Sequence, residues 1–164
     1  MTIEQLAEHD LIFLVGFMAS GKTTHGRKLA NRLERTFYDT DAMIERNRGE
    51  SIDRIFAAGG EDDFRREEAL VIRSFFGRTG VVATGGGTPL HFGAMDWMLD
   101  NGLVIYLEHP PGQLAHRIEH AKTPRPLLGD LDGDALRERI EEMLAERAPV
   151  YERAHVRWSE LDLG

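Results

Sequence analysis

Apolar residues along this chain form short continuous runs that alternate with longer stretches of helical spacing. Leu11–Val15 and Leu103–Leu107 are the clearest runs, and such unbroken apolar segments are typical of strands buried on both faces. Apolar residues at helical spacing predict helices over residues 22–34, 51–58, 61–76 and 134–147, and another beginning near residue 111. Strands that alternate with helices imply right-handed crossovers and a three-layer α/β/α fold around a short central parallel sheet.

Two shorter extended segments, Phe37-Tyr38 and Val81–Ala83, complete the predicted sheet. Glycine and proline set the predicted helix ends. Gly59-Gly60 separates a helix capped by Ser51 from the next one, and the last helix is predicted to stop before Pro149.

Length and charge narrow the class of protein. The 164 residues can close one hydrophobic core but are too few for two ordinary domains, so we expect a single domain over residues 1–164. The absence of cysteine excludes disulfides, thiolate metal sites and cysteine nucleophiles. A net charge of −8 argues against a nucleic-acid surface, and no apolar run could span a bilayer. We therefore expect a cytoplasmic enzyme that acts on small molecules.

A phosphate-binding motif follows the first predicted strand. Gly16–Thr23 matches G-x-x-x-x-G-K-[ST] and lies between a predicted strand and a predicted helix, as its mechanism requires. The glycines let backbone N–H groups point inward, and the helix adds its positive end to that anion site. We expect Lys22 to reach the β- and γ-phosphates of a nucleotide and Thr23 to offer its hydroxyl to Mg²⁺.

Candidate acceptor residues lie at the ends of two other predicted strands. Asp39 and Asp41 follow Phe37-Tyr38, a strand that we expect to neighbour the strand of the phosphate motif. One carboxylate could support Mg²⁺ while the other takes the acceptor's proton, although an Asx turn capping the helix near Ala42 explains the pair equally well. Gly85-Gly86-Gly87 is a second glycine loop, and a plain tight turn is its alternative interpretation.

Four arginines could complete the site, namely Arg65, Arg66, Arg125 and Arg147. Each one alone is more simply interpreted as a solvated or ion-paired surface residue. Arg125 differs because prolines on both sides stiffen its loop, which could present the guanidinium to a γ-phosphate.

Five clusters occur together in the order and approximate spacing of one enzyme family. They are residues 16–24, the segment 37–45 with its two aspartates, Gly60-Glu61 with Phe64-Arg65, the glycines 85–87, and the pair Arg125–Leu128 and Arg147-x-Pro149-x-Tyr151. Over about residues 11–156 the chain thus resembles shikimate kinase. The resemblance implies ATP-dependent phosphorylation of shikimate to shikimate 3-phosphate and ADP, a step of aromatic amino-acid biosynthesis.

The resemblance also implies roles for individual residues. ATP would be bound by Gly16, Ala19, Ser20, Gly21, Lys22, Thr23, Thr24, Arg117 and Arg125. Shikimate would be bound by Asp41, Arg65, Gly85, Gly86, Gly87 and Arg147, with the two arginines on its carboxylate. Thr23 would ligate Mg²⁺ and Asp39 would support it, while the catalytic residues would be Lys22, Asp41 and Arg125. Residues 42–70 would form the substrate-binding subdomain and about 113–131 the lid of a monomeric enzyme.

The chain departs from the family pattern at two places. Ala19 stands where the family often has glycine, a change that we expect the loop to tolerate unless the position needs a positive φ. The chain ends at Gly164, where the family usually continues through an adenine-contacting loop and a terminal helix, and Arg117 is a candidate for the arginine beside the adenine.

Other functions remain open at this point. The phosphate motif would equally serve a kinase for gluconate or a nucleoside monophosphate, and a kinase-like module could bind ligands without turnover. His116–His120 also spells H-x-x-E-H, an inverted zinc-peptidase signature, for which a polar helix face is the simpler explanation. The remaining histidines show no ligand spacing, and we expect them to be surface or locally hydrogen-bonded residues.

Overall fold

The computed structural model describes residues 1–121 and 128–164. Arg125, the predicted lid arginine, lies outside the described residues.

In the described part of the chain, five parallel strands form one sheet in the order β2-β3-β1-β4-β5. Their bounds are β1 Leu11–Val15, β2 Phe37–Asp39, β3 Gly80–Ala83, β4 Leu103–Tyr106 and β5 Val156–Arg157. The predicted parallel α/β architecture is thereby confirmed.

Helices cover both faces of this sheet. They are α1 Ile3–Ala7, α2 Lys22–Arg32, α3 Thr40–Arg48, α4 Ile52–Arg73, α5 Ala94–Asn101, α6 Pro111–Glu119 and α7 Gly133–Tyr151, with 3₁₀ turns at Thr88–Leu90 and Trp158–Glu160. Within the described part of the chain, no helix combines the length and the apolar character needed to cross a membrane.

Side chains of β1 alternate between the two hydrophobic layers. Phe13 and Val15 pack in the cluster that receives α3, α4, α5 and α7, whereas Ile12 and Leu14 pack in the cluster that receives α1 and α2. All five residues of β1 are buried, because a central parallel strand is covered on both faces. The continuous apolar run in the sequence reflects this double burial.

The predicted position of β2 was wrong. β2 pairs with β3, and β3 lies between it and β1, the strand of the phosphate motif. The burial of the two strands explains the order: β3 is buried along its whole length and needs neighbours on both sides, whereas β2 is half-buried and occupies the edge. The loops of β1 and β2 therefore approach each other across the end of β3.

The break predicted at Gly59-Gly60 is present inside α4. Gly60 has φ 74° and ψ −175°, far from helical values, so two helical segments meet there at a kink. Ser51 caps the first segment by accepting a hydrogen bond from the Arg54 backbone N–H, as the sequence predicted.

The last helix does not stop before Pro149, contrary to the prediction. α7 continues to Tyr151, with the proline ring exposed in its final turn. Tyr151 is fully buried, and its hydroxyl donates a hydrogen bond to the backbone carbonyl of Gly86. The burial of this side chain and the hydrogen bond from the Glu152 N–H to the Ala148 carbonyl stabilise the final turn despite the missing proline N–H.

We predict that Tyr151→Phe lowers the free energy of unfolding by about 0.5–1.5 kcal/mol, because the variant removes the donor to the partly buried Gly86 carbonyl. Burial raises the pKa of the Tyr151 hydroxyl to about 12, so the group is a donor throughout the neutral range. Urea unfolding at pH 7 measures the effect. Tyr38→Phe, which removes the same oxygen from a half-buried ring, is the matched control. Equal stability of the Tyr151→Phe variant and the parent protein would contradict the assigned bond.

Candidate active site

A pocket of about 860 Å³ opens at the carboxyl-terminal edge of the sheet, where β1, β2 and β3 release their loops. It brings together most of the residues singled out in the sequence: Ala19, Ser20, Gly21, Lys22, Thr23, Thr24, Asp39, Asp41, Arg65, Gly85, Gly86, Gly87, Arg117 and Arg147. Gly16 lies at the base of the first loop rather than on the pocket wall. Arg66 is exposed on α4 and is not a lining residue of the pocket.

The loop after β1 wraps around the ammonium group of Lys22. Lys22 Nζ donates to the carbonyl oxygens of Gly16 at 2.6 Å and Phe17 at 2.8 Å, and the side chain is buried. Gly16 must lack a side chain, because a Cβ there would lie 2.7 Å from the Leu107 carbonyl oxygen. Since α2 begins at Lys22, its first N–H groups face the same space.

Ala19 does occupy a left-handed conformation, with φ 62°. Tolerance of alanine was expected only if this position did not need a positive φ, and it does. The left-handed conformation costs an alanine about 1–2 kcal/mol relative to right-handed backbone. The Ala19 carbonyl accepts a 3.4 Å hydrogen bond from Arg117, which extends from α6 over the loop.

Thr23 and Asp39 meet between the loops of β1 and β2. The Thr23 hydroxyl lies 3.4 Å from Asp39 Oδ2. Asp39 Oδ1 accepts from the backbone N–H groups of Asp41 at 3.0 Å and Ala42 at 3.3 Å, so this side chain caps α3. The Asx-turn interpretation is correct for Asp39, and its second oxygen still faces Thr23.

The carboxyl group of Asp41 has a raised pKa. Burial raises its pKa to about 7, and the negative charges of Glu68 and Asp39 add to the increase while Lys22 opposes it. Its Oδ1 atom is buried and has no hydrogen-bond partner among the described residues. A carboxyl group with this pKa exchanges its proton near neutral pH, as a general base requires.

Arg65 is buried in the pocket floor and held by two glutamates. Its guanidinium contacts Glu68 at 2.6 Å and Glu61 at 3.1 Å. Glu68 is also buried and accepts a hydrogen bond from the Thr88 hydroxyl. Burial raises the pKa of Glu68, and Arg65 and Thr88 oppose that increase.

Glu68 is a lining residue of the pocket that the sequence reasoning missed. Its position three residues after Arg65, on the same face of α4, was the signal that could have revealed it.

Arg147 is the second buried guanidinium in the pocket. It projects from α7 and lies over the ring of Phe17, 5.7 Å from the ring centre. A Cβ on Gly86 would lie 3.3 Å from its Nη1 atom. Arg65 and Arg147 thus reach the pocket from two different helices.

The loop of three glycines gives these charged side chains room. A Cβ on Gly87 would lie 2.5 Å from the Arg65 guanidinium, and one on Gly85 would lie 2.7 Å from Glu68 Oε2. None of the three glycines has a positive φ, so the missing side chain matters here and the backbone conformation does not.

The H-x-x-E-H segment does not form a metal site in the described part of the chain. The rings of His116 and His120 are adjacent, and His120 Nδ1 lies 2.8 Å from the His116 carbonyl oxygen. Glu119 accepts from the Gly133 backbone N–H instead of pointing toward the histidines' ring nitrogens. Residues 1–121 and 128–164 contain no cluster of three histidine, aspartate or glutamate side chains suited to a metal ion.

Solved structures of shikimate kinases share the fold of this chain at 34–35% sequence identity. A shikimate kinase from Bacteroides thetaiotaomicron superposes with a TM-score of 0.85 at 34% identity, covering 91% of this chain and 85% of that one. A shikimate kinase from Acinetobacter baumannii, solved in complex with shikimate, gives a TM-score of 0.84 at 35% identity and covers 99% and 89% of the two chains.

Sequence comparison agrees. The chain is 44% identical over 144 residues to a shikimate kinase from Pelotomaculum thermopropionicum, covering 87% of this chain and 81% of the relative. It is 47% identical over 141 residues to one from Halorhodospira halophila, covering 85% and 77%. A family model described as shikimate kinase matches residues 18–162. With the phosphate loop, the buried arginines and these matches in agreement, the chain belongs to the shikimate kinase family.

Proposed function

We propose that this protein transfers the γ-phosphate of ATP to a ring hydroxyl of shikimate, giving shikimate 3-phosphate and ADP within aromatic amino-acid biosynthesis. The observation that carries the proposal is the position of Asp41, a carboxyl group with a pKa of about 7, in one pocket with a phosphate loop and two buried arginines. Lys22 and Glu68 both act on its pKa, and Glu68 is in turn influenced by Arg65 and Arg147. Donor and acceptor groups are thus electrostatically coupled through one carboxyl group.

The donor half of the reaction is assigned to the loop after β1. Backbone N–H groups of this loop and the start of α2 would hold the phosphates of ATP, and Lys22 would contact the transferring group. Lys22 already lies within the loop, so a small displacement of its ammonium group from two carbonyl oxygens would suffice. Arg117 is the proposed contact near the adenine, and Arg125 is proposed to close over the phosphates.

Thr23 and Asp39 fit the requirements of a magnesium ion. Mg²⁺ takes few protein ligands and keeps phosphate oxygens and waters, so one hydroxyl with one nearby carboxylate is an appropriate donor set. When bound, the ion neutralises charge on the phosphates. We propose that Thr23 ligates it directly and that Asp39, fixed as the cap of α3, supports its water shell.

The acceptor half is assigned to the two buried arginines and Asp41. Guanidinium groups bind carboxylates through paired hydrogen bonds, and Arg65 and Arg147 would hold the carboxylate of shikimate from two sides. Asp41 would accept the hydroxyl hydrogen bond and its proton, while Gly85, Gly86 and Gly87 leave space for the ring. Fixing both reactants in line supplies most of the catalysis in phosphoryl transfer.

Two segments are proposed to move or adapt around this site. Residues 42–70 contribute Phe56, Phe64 and Arg65 to the pocket and would form the acceptor-binding subdomain. Residues 113–131, which include Arg117, would form the lid over ATP. We further propose that the enzyme acts as a cytoplasmic monomer.

Release of ADP with a panel of acceptors tests the proposed reaction. We expect turnover with shikimate and far less with nucleoside monophosphates, because these lack the carboxylate that Arg65 and Arg147 would bind. Quinate and gluconate, which do carry a carboxylate, test how far the ring contributes to selectivity. ATP hydrolysis without any dependence on shikimate would contradict the proposed function.

We predict that Arg147→Ala raises KM for shikimate by about 50-fold or more and leaves KM for ATP nearly unchanged, because a buried charge-assisted pair on the carboxylate is lost. Arg137→Ala is the matched control, since Arg137 is an exposed arginine on the same helix. An equal rise of both KM values would exclude a carboxylate-binding role for Arg147.

The raised pKa of Asp41 predicts a pH-dependent stability effect of Asp41→Asn in metal-free protein. The folded-state pKa of Asp41 lies above its unfolded value, so the folded protein holds this proton more tightly than the unfolded chain does. The stability of the parent protein therefore falls as the pH rises through about 7, where the buried carboxyl group becomes charged. The advantage of the asparagine variant in unfolding free energy should therefore grow by about 2–3 kcal/mol between pH 5 and pH 8.

Urea unfolding at several pH values measures this difference. Asp62→Asn, on an exposed carboxylate of α4, is the control for the substitution itself. A constant difference between Asp41→Asn and the parent protein across this range would show that Asp41 is not buried as an acid.

A further inference from the structure

His109 contacts the phosphate loop, although no role was predicted for it from its spacing in the sequence. It follows β4 and is half-buried, with its Nε2 atom 2.9 Å from the backbone carbonyl oxygen of Ser20. A carbonyl oxygen only accepts hydrogen bonds, so Nε2 must be the donor. On the other side of the ring, Nδ1 lies 3.1 Å from the side-chain amide of Gln113, one helical turn further along.

This contact controls the direction of one peptide group in the loop. The carbonyl of Ser20 and the N–H of Gly21 belong to the same planar trans peptide and point in opposite directions. With the carbonyl held toward His109, the N–H of Gly21 is directed away from His109. Gly21 lines the pocket, on the side where a phosphate would bind.

That peptide group needs an external restraint. Gly21 has φ 94°, in the region that glycine reaches without steric cost, so the peptide before it can rotate easily. The Ser20 hydroxyl has no hydrogen-bond partner among the described residues and does not supply the restraint. The hydrogen bond from His109 Nε2 to the Ser20 carbonyl supplies this restraint.

We propose that His109 is a positioning residue for the nucleotide: it holds the Ser20 carbonyl so that the Gly21 N–H stays directed at a phosphate of ATP or ADP. His109 is not a lining residue of the pocket, so it acts through the loop and not by contact with the nucleotide. This separates it from Arg117, which bonds to the preceding carbonyl but also lines the pocket. The inference rests on the nucleotide binding assigned above.

Gln113 fixes the orientation of the imidazole. Gln113 Oε1 is the amide atom that faces Nδ1. In the neutral ring, Nε2 carries the proton and Nδ1 accepts, so the Gln113 amide must turn to present its NH₂ group. In the charged ring both nitrogens donate, and the amide presents its oxygen instead. The bond from Nε2 to Ser20 is the same in both states.

A pair of substitutions tests the proposal. His109→Leu removes the donor, whereas His109→Gln places an amide nitrogen near the position of Nε2. We expect His109→Leu to weaken ADP binding in calorimetry by about five- to tenfold, the effect of one hydrogen bond, and His109→Gln to recover affinity to within about twofold. KM for ATP should rise in parallel in the leucine variant while KM for shikimate stays unchanged. His9→Leu, on a half-buried histidine that does not line the pocket, is the control.

Three outcomes would overturn the inference: equal ADP affinity of His109→Leu and the parent protein, equal losses in the leucine and glutamine variants, or equal losses of ADP and shikimate binding. Failure of the parent protein itself to bind ADP would instead contradict the proposed function. The two failures are therefore distinguishable in one set of titrations.

Discussion

The site depends on one geometric constraint, which is that all strands of the sheet run in the same direction. Parallel strands release their loops at one edge, so the phosphate loop after β1, the aspartates after β2 and the glycine loop after β3 meet there. Because β3 lies between β1 and β2, its glycine loop forms the floor between the donor and acceptor groups. The strand order thus determines which chemical groups can share the pocket.

Charge compensation is the second condition. A buried guanidinium without a partner would be strongly destabilising, and Arg65 is neutralised by the buried Glu68 and the more exposed Glu61. Glu68 has a further consequence, since its negative charge helps raise the pKa of Asp41. Glu68 therefore both neutralises Arg65 and raises the pKa of the proposed base. Gly85 and Gly87 leave the space that Glu68 and Arg65 occupy, because a side chain on either glycine would collide with them.

The local patterns in the sequence were sufficient for much of this arrangement. Continuous apolar runs identified β1 and β4, and a motif with fixed spacing identified the phosphate loop, because both depend on neighbouring residues only. The order of β2 and β3, the passage of α7 through Pro149, and the short elements α1, α5 and β5 could not be predicted, since they depend on contacts between distant segments. Glu68 and His109 were missed for the same reason, as their partners become apparent only in the folded chain.

A crystal structure with ADP and shikimate bound together tests the central claim most directly, namely that one pocket holds a phosphate donor and a carboxylate clamp on opposite sides of Asp41. The account predicts the shikimate carboxylate between Arg65 and Arg147, a ring hydroxyl in hydrogen-bond contact with Asp41, and the ADP phosphates around Lys22. A shikimate carboxylate that contacts neither arginine would contradict it.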